Sequence, residues 1–399
     1  MIEKYYSGVI EQIYNRIGKE TRNIVMANYS NDFSIENLEV IRRYQSNEDN
    51  VFFAYSEFSY NTLVGAYEPF LDIICNMHRR FIGGSFDDFQ KECGVYYLHR
   101  QVLNSYYETG ECFREETVLL NEVAYEQRRM TMAIADMLKR LSEVRPLMIV
   151  INRFQMASKS SIETIKYLID NPCANIGIVL GVNAIVKGAD STVEVWDRIV
   201  ESLEDRSAIY YIGSAGPLKN NIKTTNDDEL YITMNFEQSI QEASNIMEFL
   251  DYEQARRGWR IIEHKIKFEN AWIDEKSLRR FYLVYARTSV LLGEMSKAIE
   301  LMNEYKALIP ENDSEHYFSL YYFMKGTCYM YQGKLEKAEG CAKKAYDYAL
   351  LADDELLEFK SELLSVMIKM SGWYNIFFCV QDIPVSDEII EKLIKHGYR

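Results

Sequence analysis

Five short, almost wholly apolar runs occur in the first 235 residues of the chain, and amphipathic segments separate them. Runs of this kind are typical of strands buried on both faces, as in a parallel sheet covered by helices. The runs are 23–28, 51–55, 147–151, 176–180 and 208–212. The segments between them carry apolar residues three and four positions apart, which predicts helices. The alternation predicts a doubly wound α/β domain over 1–235, with a helical insertion over 67–107.

From residue 236 to the end the strand pattern stops, and pairs of amphipathic segments replace it. Gly293, Gly333 and Gly372 lie 40 and 39 residues apart, and Ala298 and Ala338 follow the first two glycines by five residues. A glycine in the turn of a helical hairpin and a small residue at the helix crossing allow close packing. This internal repeat predicts a solenoid of helical hairpins over 236–399. A plain helical bundle, which also has small residues at crossings, is the alternative.

Two further features concern the ends of this repeat region. An earlier hairpin, with Leu250 at its turn and Ala255 at its crossing, is interpreted as a degenerate copy. The copy after Gly372 is incomplete, because 373–383, Pro384 and an amphipathic helix over 387–396 replace the expected alanine-containing helix. Stacked repeats leave an apolar face at each open end. Either the last helix covers that face or another polypeptide does.

Charge and composition exclude several classes of protein. The net charge of −15 repels nucleic acid on average, so binding it would need a segregated basic patch or a partner. Neither a run of eighteen apolar residues nor a signal-peptide core in 1–20 is present in the sequence. Seven cysteines without a Cys-x-x-Cys pair suit reduced thiols, and five scattered histidines lack metal-ligand spacing. We therefore expect a cytoplasmic protein without a membrane partner or a metal site.

The segment 145–168 holds the strongest motif. Its apolar run ends at Asn152 and Arg153, and Phe154-Gln155-Met156-Ala157 and then Ser160-Ser161 follow. The segment resembles the Walker B strand and the following helix of the AAA-type ATPase domain in the STAND family of signal-transduction ATPases. It is most similar to regulators that carry tetratricopeptide-like repeats behind that domain. The resemblance implies a P-loop-NTPase-like parallel sheet, a tetratricopeptide-like solenoid, and work in signalling and transcriptional control.

Two motifs depart from that family in the same direction. The family's strand usually ends in two acidic residues, which fall here on Asn152 and Arg153. Its Gly-x-x-x-x-Gly-Lys-Ser/Thr loop would fall on 27–34, which keeps only Ser34. The second glycine and the lysine are replaced by an aspartate and a phenylalanine. A carboxylate about 4 Å from a phosphate charge costs about 4 kcal/mol at an effective dielectric near 20, roughly a thousandfold in affinity.

The departures imply an inactive relative of an ATPase, with no catalytic residue and no metal. Ser34, Asn152, Arg153 and Asn183, the last near the family's polar sensor, would form a vestigial nucleotide site; ordinary polar groups at strand ends are the alternative reading. We expect a non-catalytic regulatory or scaffold protein that binds a partner protein through its repeats. The alternative is a STAND-type signalling switch or transcriptional regulator that binds ATP or ADP. Both of these functions are compatible with an oligomer.

Overall fold

The structure is a computed structural model that describes residues 2–30, 38–46, 50–59, 63–112, 123–183, 193–213, 236–268, 273–312 and 314–374. The chain divides into two compact units, Met1–Asn270 and Ala271–Arg399, called the first and second units below. Helices over 236–268 therefore fall within the first unit, whereas the sequence pattern predicted a boundary after residue 235. Among the described residues, no helix combines the length and the apolar character needed to cross a membrane.

A five-stranded parallel sheet forms the centre of the first unit, which confirms the predicted α/β domain. Its strands stand in the order β2-β3-β4-β1-β5. Every residue of β3 and β4 is buried, as continuous apolar runs in a covered sheet require. The strands overlap the five predicted runs: β1 is Ile24–Tyr29, β2 is Phe52–Glu57, β3 is Leu147–Asn152, β4 is Ile176–Asn183 and β5 is Ile209–Ile212.

Ten helices are described in the first unit. Four of them lie between β2 and β3, and the first three of these four overlap the predicted helical insertion over 67–107. A π-helical turn, His78–Ile82, follows the first of these three, and a 3-10 turn, Phe154–Met156, follows β3. The helices are α1 (Ile2–Arg16), α2 (Glu39–Ser46), α3 (Phe70–Met77), α4 (Phe86–Glu92), α5 (Tyr97–Thr109), α6 (Val123–Val144), α7 (Lys159–Asp170), α8 (Val193–Glu204), α9 (Phe236–Glu248) and α10 (Tyr252–Phe268).

The connections between strands define where a ligand crevice would open. The chain passes from β1 to β2 in one direction along the sheet, and from β3 through β4 to β5 in the other. Right-handed crossovers then place α2 on one face and α7 and α8 on the opposite face. The apolar residues of α1 and α2 pack together on the first of these faces. The neighbouring strands β1 and β4 therefore form the switch point, where α/β sheets open a crevice at the carboxyl ends of the strands.

The second unit consists of helical hairpins. Gly293 and Gly333 adopt the left-handed conformation (φ of 78° and 71°) in the turns where the repeat predicted them. Ala298 and Ala338 are fully buried at the crossings. The predicted third turn at Gly372 is wrong, because the last described helix continues through it. The helices are α11 (Glu275–Leu291), α12 (Met295–Ala307), α13 (Ser314–Tyr331), α14 (Leu335–Leu351) and α15 (Glu355–Tyr374). The helix predicted over 387–396 lies outside the described residues.

Candidate functional site

The carboxyl ends of β1, β3 and β4 bring buried polar side chains together at the switch point. Asn152 ends β3 and Asn183 ends β4, and both are almost fully buried. The Tyr29 hydroxyl of β1 donates a hydrogen bond to Asn152 Oδ1 at 2.5 Å. Tyr29 also stands opposite Asn183 in the register of β1 and β4. The structure thus places two of the predicted site residues at one edge of the sheet, while Ser34 lies outside the described residues.

Tyr6 of α1 closes this edge from one face of the sheet. A Cβ atom added to Gly181 would stand 2.3 Å from the Tyr6 hydroxyl and 2.9 Å from Asn152 Oδ1. Only glycine leaves room for that approach. Burial, followed by the neighbouring Tyr29, Tyr55 and Glu57, raises the pKa of Tyr6 well above its ordinary value, so the phenol stays protonated.

Sequence reasoning missed Tyr6 as a member of this group. Its signal was the spacing of Tyr6, Val9, Ile10 and Ile13, which form the buried face of α1. This three-and-four spacing predicts an amphipathic helix. It does not say which strand the helix covers, and so the contact with Gly181 could not be read from it.

Arg153 turns away from Asn152 and toward β2. It adopts the left-handed conformation with φ of 54°, which costs a residue with a side chain roughly 1–2 kcal/mol. Its Nη1 lies 3.0 Å from Glu57 Oε1 and donates a hydrogen bond to the backbone oxygen of Phe58 at 3.3 Å. The Tyr55 hydroxyl donates to the same Glu57 carboxylate. A cation paired with β2 therefore stands where the STAND resemblance expects a catalytic carboxylate.

Two amide nitrogens at this edge, Asn152 Nδ2 and Gln155 Nε2, lack a hydrogen-bond partner among the described residues. Asn152 Nδ2 is buried and forms no hydrogen bond with any residue that the structure describes. Around it, Tyr29 and Gly181 occupy the space on the α1 face. Over the described ranges, no group of three or more His, Cys, Asp or Glu side chains could hold a metal ion. The edge offers hydrogen-bond donors and acceptors, and its Glu57 carboxylate is already neutralised by Arg153.

The serines of the motif segment cap α7 and anchor a neighbouring segment. Ser158 is the N-cap residue of α7 and accepts a hydrogen bond from Ser161 N. Ser160 Oγ accepts one from Tyr67 N at 3.0 Å, and Ser161 Oγ donates one to the backbone oxygen of Glu68 at 2.7 Å. All three serines are buried. Their hydrogen bonds explain the serines of the motif as structural residues.

Asp251 joins the same helix start to the α9–α10 hairpin. Its Oδ2 accepts a hydrogen bond from Ser160 N at 3.0 Å, and its Oδ1 accepts one from Gln254 N at 3.4 Å. The first donor belongs to the opening turn of α7 and the second to that of α10. A carboxylate at a helix N-terminus satisfies orphan N–H groups and interacts favourably with the helix dipole. This shared cap holds α9 and α10 within the first unit.

Among the cavities in the described part of the first unit, two lie beside the α9–α10 hairpin. One, of about 570 Å³, lies beside α6, α7 and Asp251 and has both cationic and anionic side chains in its wall. The other, of about 180 Å³, is lined by three carboxylates, those of Glu68, Asp72 and Glu242. Burial, and the nearby Asp72, raise the pKa values of Glu68 and Glu242, although the Gly65 N–H bonded to Glu68 opposes this for Glu68.

We expect Glu242→Gln to stabilise the protein at pH 7 and to have little effect at pH 4. A folded-state pKa raised above the unfolded value means that the folded chain binds more protons in the window above about pH 4.3. Stability of the wild type therefore falls as pH rises through that window, and glutamine removes the loss. Urea unfolding of the wild type and of Glu242→Gln at pH 7 and at pH 4 measures this difference in stability.

Glu237→Gln is the control for this experiment. Glu237 is an exposed carboxylate on the same helix, at the first turn of α9. Glutamine at this position loses a favourable interaction with the helix dipole, so we expect no gain in stability at pH 7. A gain for Glu242→Gln that is the same at both pH values would contradict the assignment of a raised pKa.

Comparison with known proteins identifies no similar protein. The chain matches no family model, and none of the curated proteins compared with it is similar. The STAND resemblance therefore stays a prediction from the motif residues at the ends of β3 and β4 and from the glycine spacing.

Proposed function

We propose that this chain is a non-catalytic regulatory or scaffold protein. Its second unit binds a partner protein, and its first unit is an inactive relative of an ATPase domain. The observation that carries this proposal is the filled carboxyl edge of β1, β3 and β4. There the Tyr29 hydroxyl bonds Asn152, the Tyr6 ring packs over Gly181, and Arg153 pairs with Glu57.

Triphosphate chemistry needs two things at this edge. It needs a carboxylate to hold Mg²⁺, and backbone N–H groups and a cation close to the phosphates. Asn152 is an amide, and Glu57 is neutralised by Arg153. Displacing a buried aromatic ring such as that of Tyr6 costs about 3–5 kcal/mol. A ligand that needed this space would lose roughly a hundredfold or more in affinity.

The second unit supports the binding part of the proposal. Its five described helices form successive hairpins with left-handed turns at Gly293, Gly333 and Asp353. Stacked hairpins of this kind expose extended surfaces that suit polypeptide partners. The resemblance to STAND regulators with tetratricopeptide-like repeats adds the expectation of a role in signalling or transcriptional control. In this proposal the α/β unit is a rigid platform for the helical surface.

A nucleotide-binding switch is the second candidate, and one observation favours it. Asn152 Nδ2 is a buried donor without a partner among the described residues, and it lies at the switch point where α/β folds bind ligands. An oxygen atom of ATP or ADP could satisfy that donor. The switch would then control how the helical unit presents its surface.

Reversion of the motifs separates the two candidates. The variant combines Asp32→Gly, Phe33→Lys and Asn152→Asp, of which the first two positions lie outside the described residues. Isothermal titration with Mg²⁺-ATP is expected to give no heat for the wild type and measurable binding for the triple variant. A silent triple variant would show either that the motifs are misaligned or that Tyr6 and Tyr29 block the site by themselves. Micromolar binding by the wild type would favour the switch.

A further inference from the structure

Lysine and tyrosine side chains alternate across helices α13 and α14. Lys344 Nζ lies 5.1 Å from the centre of the Tyr322 ring, on the neighbouring helix. Lys325 and Lys337 flank the Tyr329 ring, with Nζ 5.9 and 6.0 Å from its centre. These distances are those of cation–π contacts. We call this surface the Lys–Tyr band, and it consists of Tyr322, Lys325, Tyr329, Lys337 and Lys344.

Helical spacing places the members of the band on one flank of each helix. Tyr322, Lys325 and Tyr329 are three and four positions apart on α13, and Lys337 and Lys344 are two turns apart on α14. Further aromatic rings extend the surface, since Tyr348 stacks on Tyr322 with centroids 5.7 Å apart and on Phe318 with centroids 5.2 Å apart. The acidic residues Glu336 and Glu339 of α14 fall about a quarter turn or more from this flank. Asp347 lies three positions after Lys344, but the two form no ion pair in the described structure.

The charge of the band is not neutralised within the described chain. None of Lys325, Lys337 and Lys344 forms an ion pair with a carboxylate that the structure describes, and Lys337 and Lys344 are exposed. Some lysines elsewhere form ion pairs, as Lys91 does with Asp87 and Lys166 with Asp170. In a chain with 60 acidic and 45 basic side chains, three unpaired lysines on one surface concentrate positive charge where the whole protein is negative.

We propose that the Lys–Tyr band binds an acidic segment of the partner polypeptide; this rests on the proposed function and names the chemistry of its partner. Each lysine is held over a ring, so its N–H groups are already positioned for a carboxylate, and less side-chain entropy is lost on binding. Tyrosine rings supply contact area of the kind that dominates interface energies. The negative net charge disfavours a nucleic acid as the occupant, because a long phosphate chain would also meet the acidic remainder of the protein.

The test uses the full chain and a short fluorescein-labelled poly-L-glutamate peptide, followed by fluorescence anisotropy at low salt. The wild type is expected to bind, and the affinity is expected to fall as salt rises. Lys344→Glu is expected to weaken binding by about tenfold or more, because it replaces an attractive contact by a repulsive one. Lys343→Glu is the matched control: it makes the same charge change at the preceding, exposed residue of α14, outside the band, and should bind like the wild type.

Several outcomes would overturn the proposal. The wild type would not bind poly-L-glutamate, or Lys344→Glu and Lys343→Glu would bind it with equal affinity. Preference of the wild type for poly-dT over poly-L-glutamate would also overturn it. Circular dichroism and thermal unfolding of both variants show whether the helices remain intact; Lys344→Ala, which only deletes the charge, keeps the test valid if the glutamate variant unfolds. If the Lys–Tyr band does not bind poly-L-glutamate and the chain binds no nucleotide, only the proposal for the band is refuted. If the chain binds a nucleotide, the proposed non-catalytic function is refuted, with or without binding at the band.

Discussion

Replacing Asp251 by alanine is expected to lower the free energy of unfolding of the first unit by about 2–4 kcal/mol. This carboxylate is only 4% exposed, and it accepts hydrogen bonds from Ser160 N of α7 and Gln254 N of α10. A cap residue is worth about 1 kcal/mol on average. A buried N–H group left without an acceptor costs about 1–3 kcal/mol, and alanine would leave two of them.

An asparagine at this position would be nearly the same size as the aspartate but could accept through only one oxygen. We therefore expect Asp251→Asn to cost about half as much as Asp251→Ala. Urea unfolding followed by tryptophan fluorescence, to which the fully buried Trp259 of α10 contributes, measures both losses. Asp205→Ala is the control, since Asp205 is exposed and its carboxylate has no partner among the described residues; it should change stability by at most about 0.5 kcal/mol. Equal effects at the two positions would contradict the shared cap.

Gly181→Ala is expected to destabilise the first unit by about 1–3 kcal/mol, because the new methyl group would collide with Tyr6 and Asn152 at the edge of the sheet. Gly8→Ala, in contrast, should stabilise by about 0.5–1 kcal/mol, since alanine is the better helix former. Gly8 lies within α1, exposed, and an added Cβ would meet nothing within 4 Å. The two variants make the same chemical change in one unit, and thermal unfolding should show opposite shifts.

A double-mutant cycle identifies the colliding group. Tyr6→Phe removes the hydroxyl that would stand 2.3 Å from the new Cβ, although the ring carbon behind it would remain 3.3 Å away. Gly181→Ala should therefore cost less in the Tyr6→Phe background than in the wild type, with a coupling energy of about 0.5–3 kcal/mol. Additive losses would show that Tyr6 does not close the edge.

The sheet could be predicted from sequence because its information is local. Strands such as β3 and β4 are buried on both faces, so the sequence of each run is apolar whatever its neighbours are. The end of β3 could be predicted in the same way, because Asn152 directly follows an apolar run. Asn183 was named through the STAND resemblance, since the predicted fourth run ended at residue 180. Left-handed turns at Gly293 and Gly333 were predictable for a local reason too, because glycine adopts positive φ without a steric penalty.

What could not be predicted depends on partners distant in sequence. Hydrophobic periodicity defines the apolar face of a helix, but not the surface that it covers. The α9–α10 hairpin looked like a degenerate repeat, and its Leu250 turn and buried Ala255 match that pattern. Its place in the first unit depends on bonds to residues far along the chain, from Asp251 to Ser160 and from Gln254 to Val64.

At the candidate site, too, the residue types could be read from the sequence, but their contacts could not. The residue types at Asn152 and Arg153 could be compared with the acidic pair of the STAND family from the sequence alone, but their partners Tyr29 and Glu57 come from other strands. The prediction of a turn at Gly372 was wrong for a different reason. It rested on the 39-residue spacing from Gly333, but a helix tolerates an internal glycine at a cost of about 1 kcal/mol. Spacing alone does not distinguish a turn glycine from a helical one.

The most direct measurement of the central claim is isothermal titration of the wild-type chain with ADP and with ATP, each with and without Mg²⁺. A filled carboxyl edge predicts no heat of binding at ligand concentrations up to about 1 mM, which corresponds to less than about 4 kcal/mol of binding free energy. A dissociation constant in the micromolar range for either nucleotide would contradict the account, and release of phosphate that depends on Mg²⁺ would contradict it further.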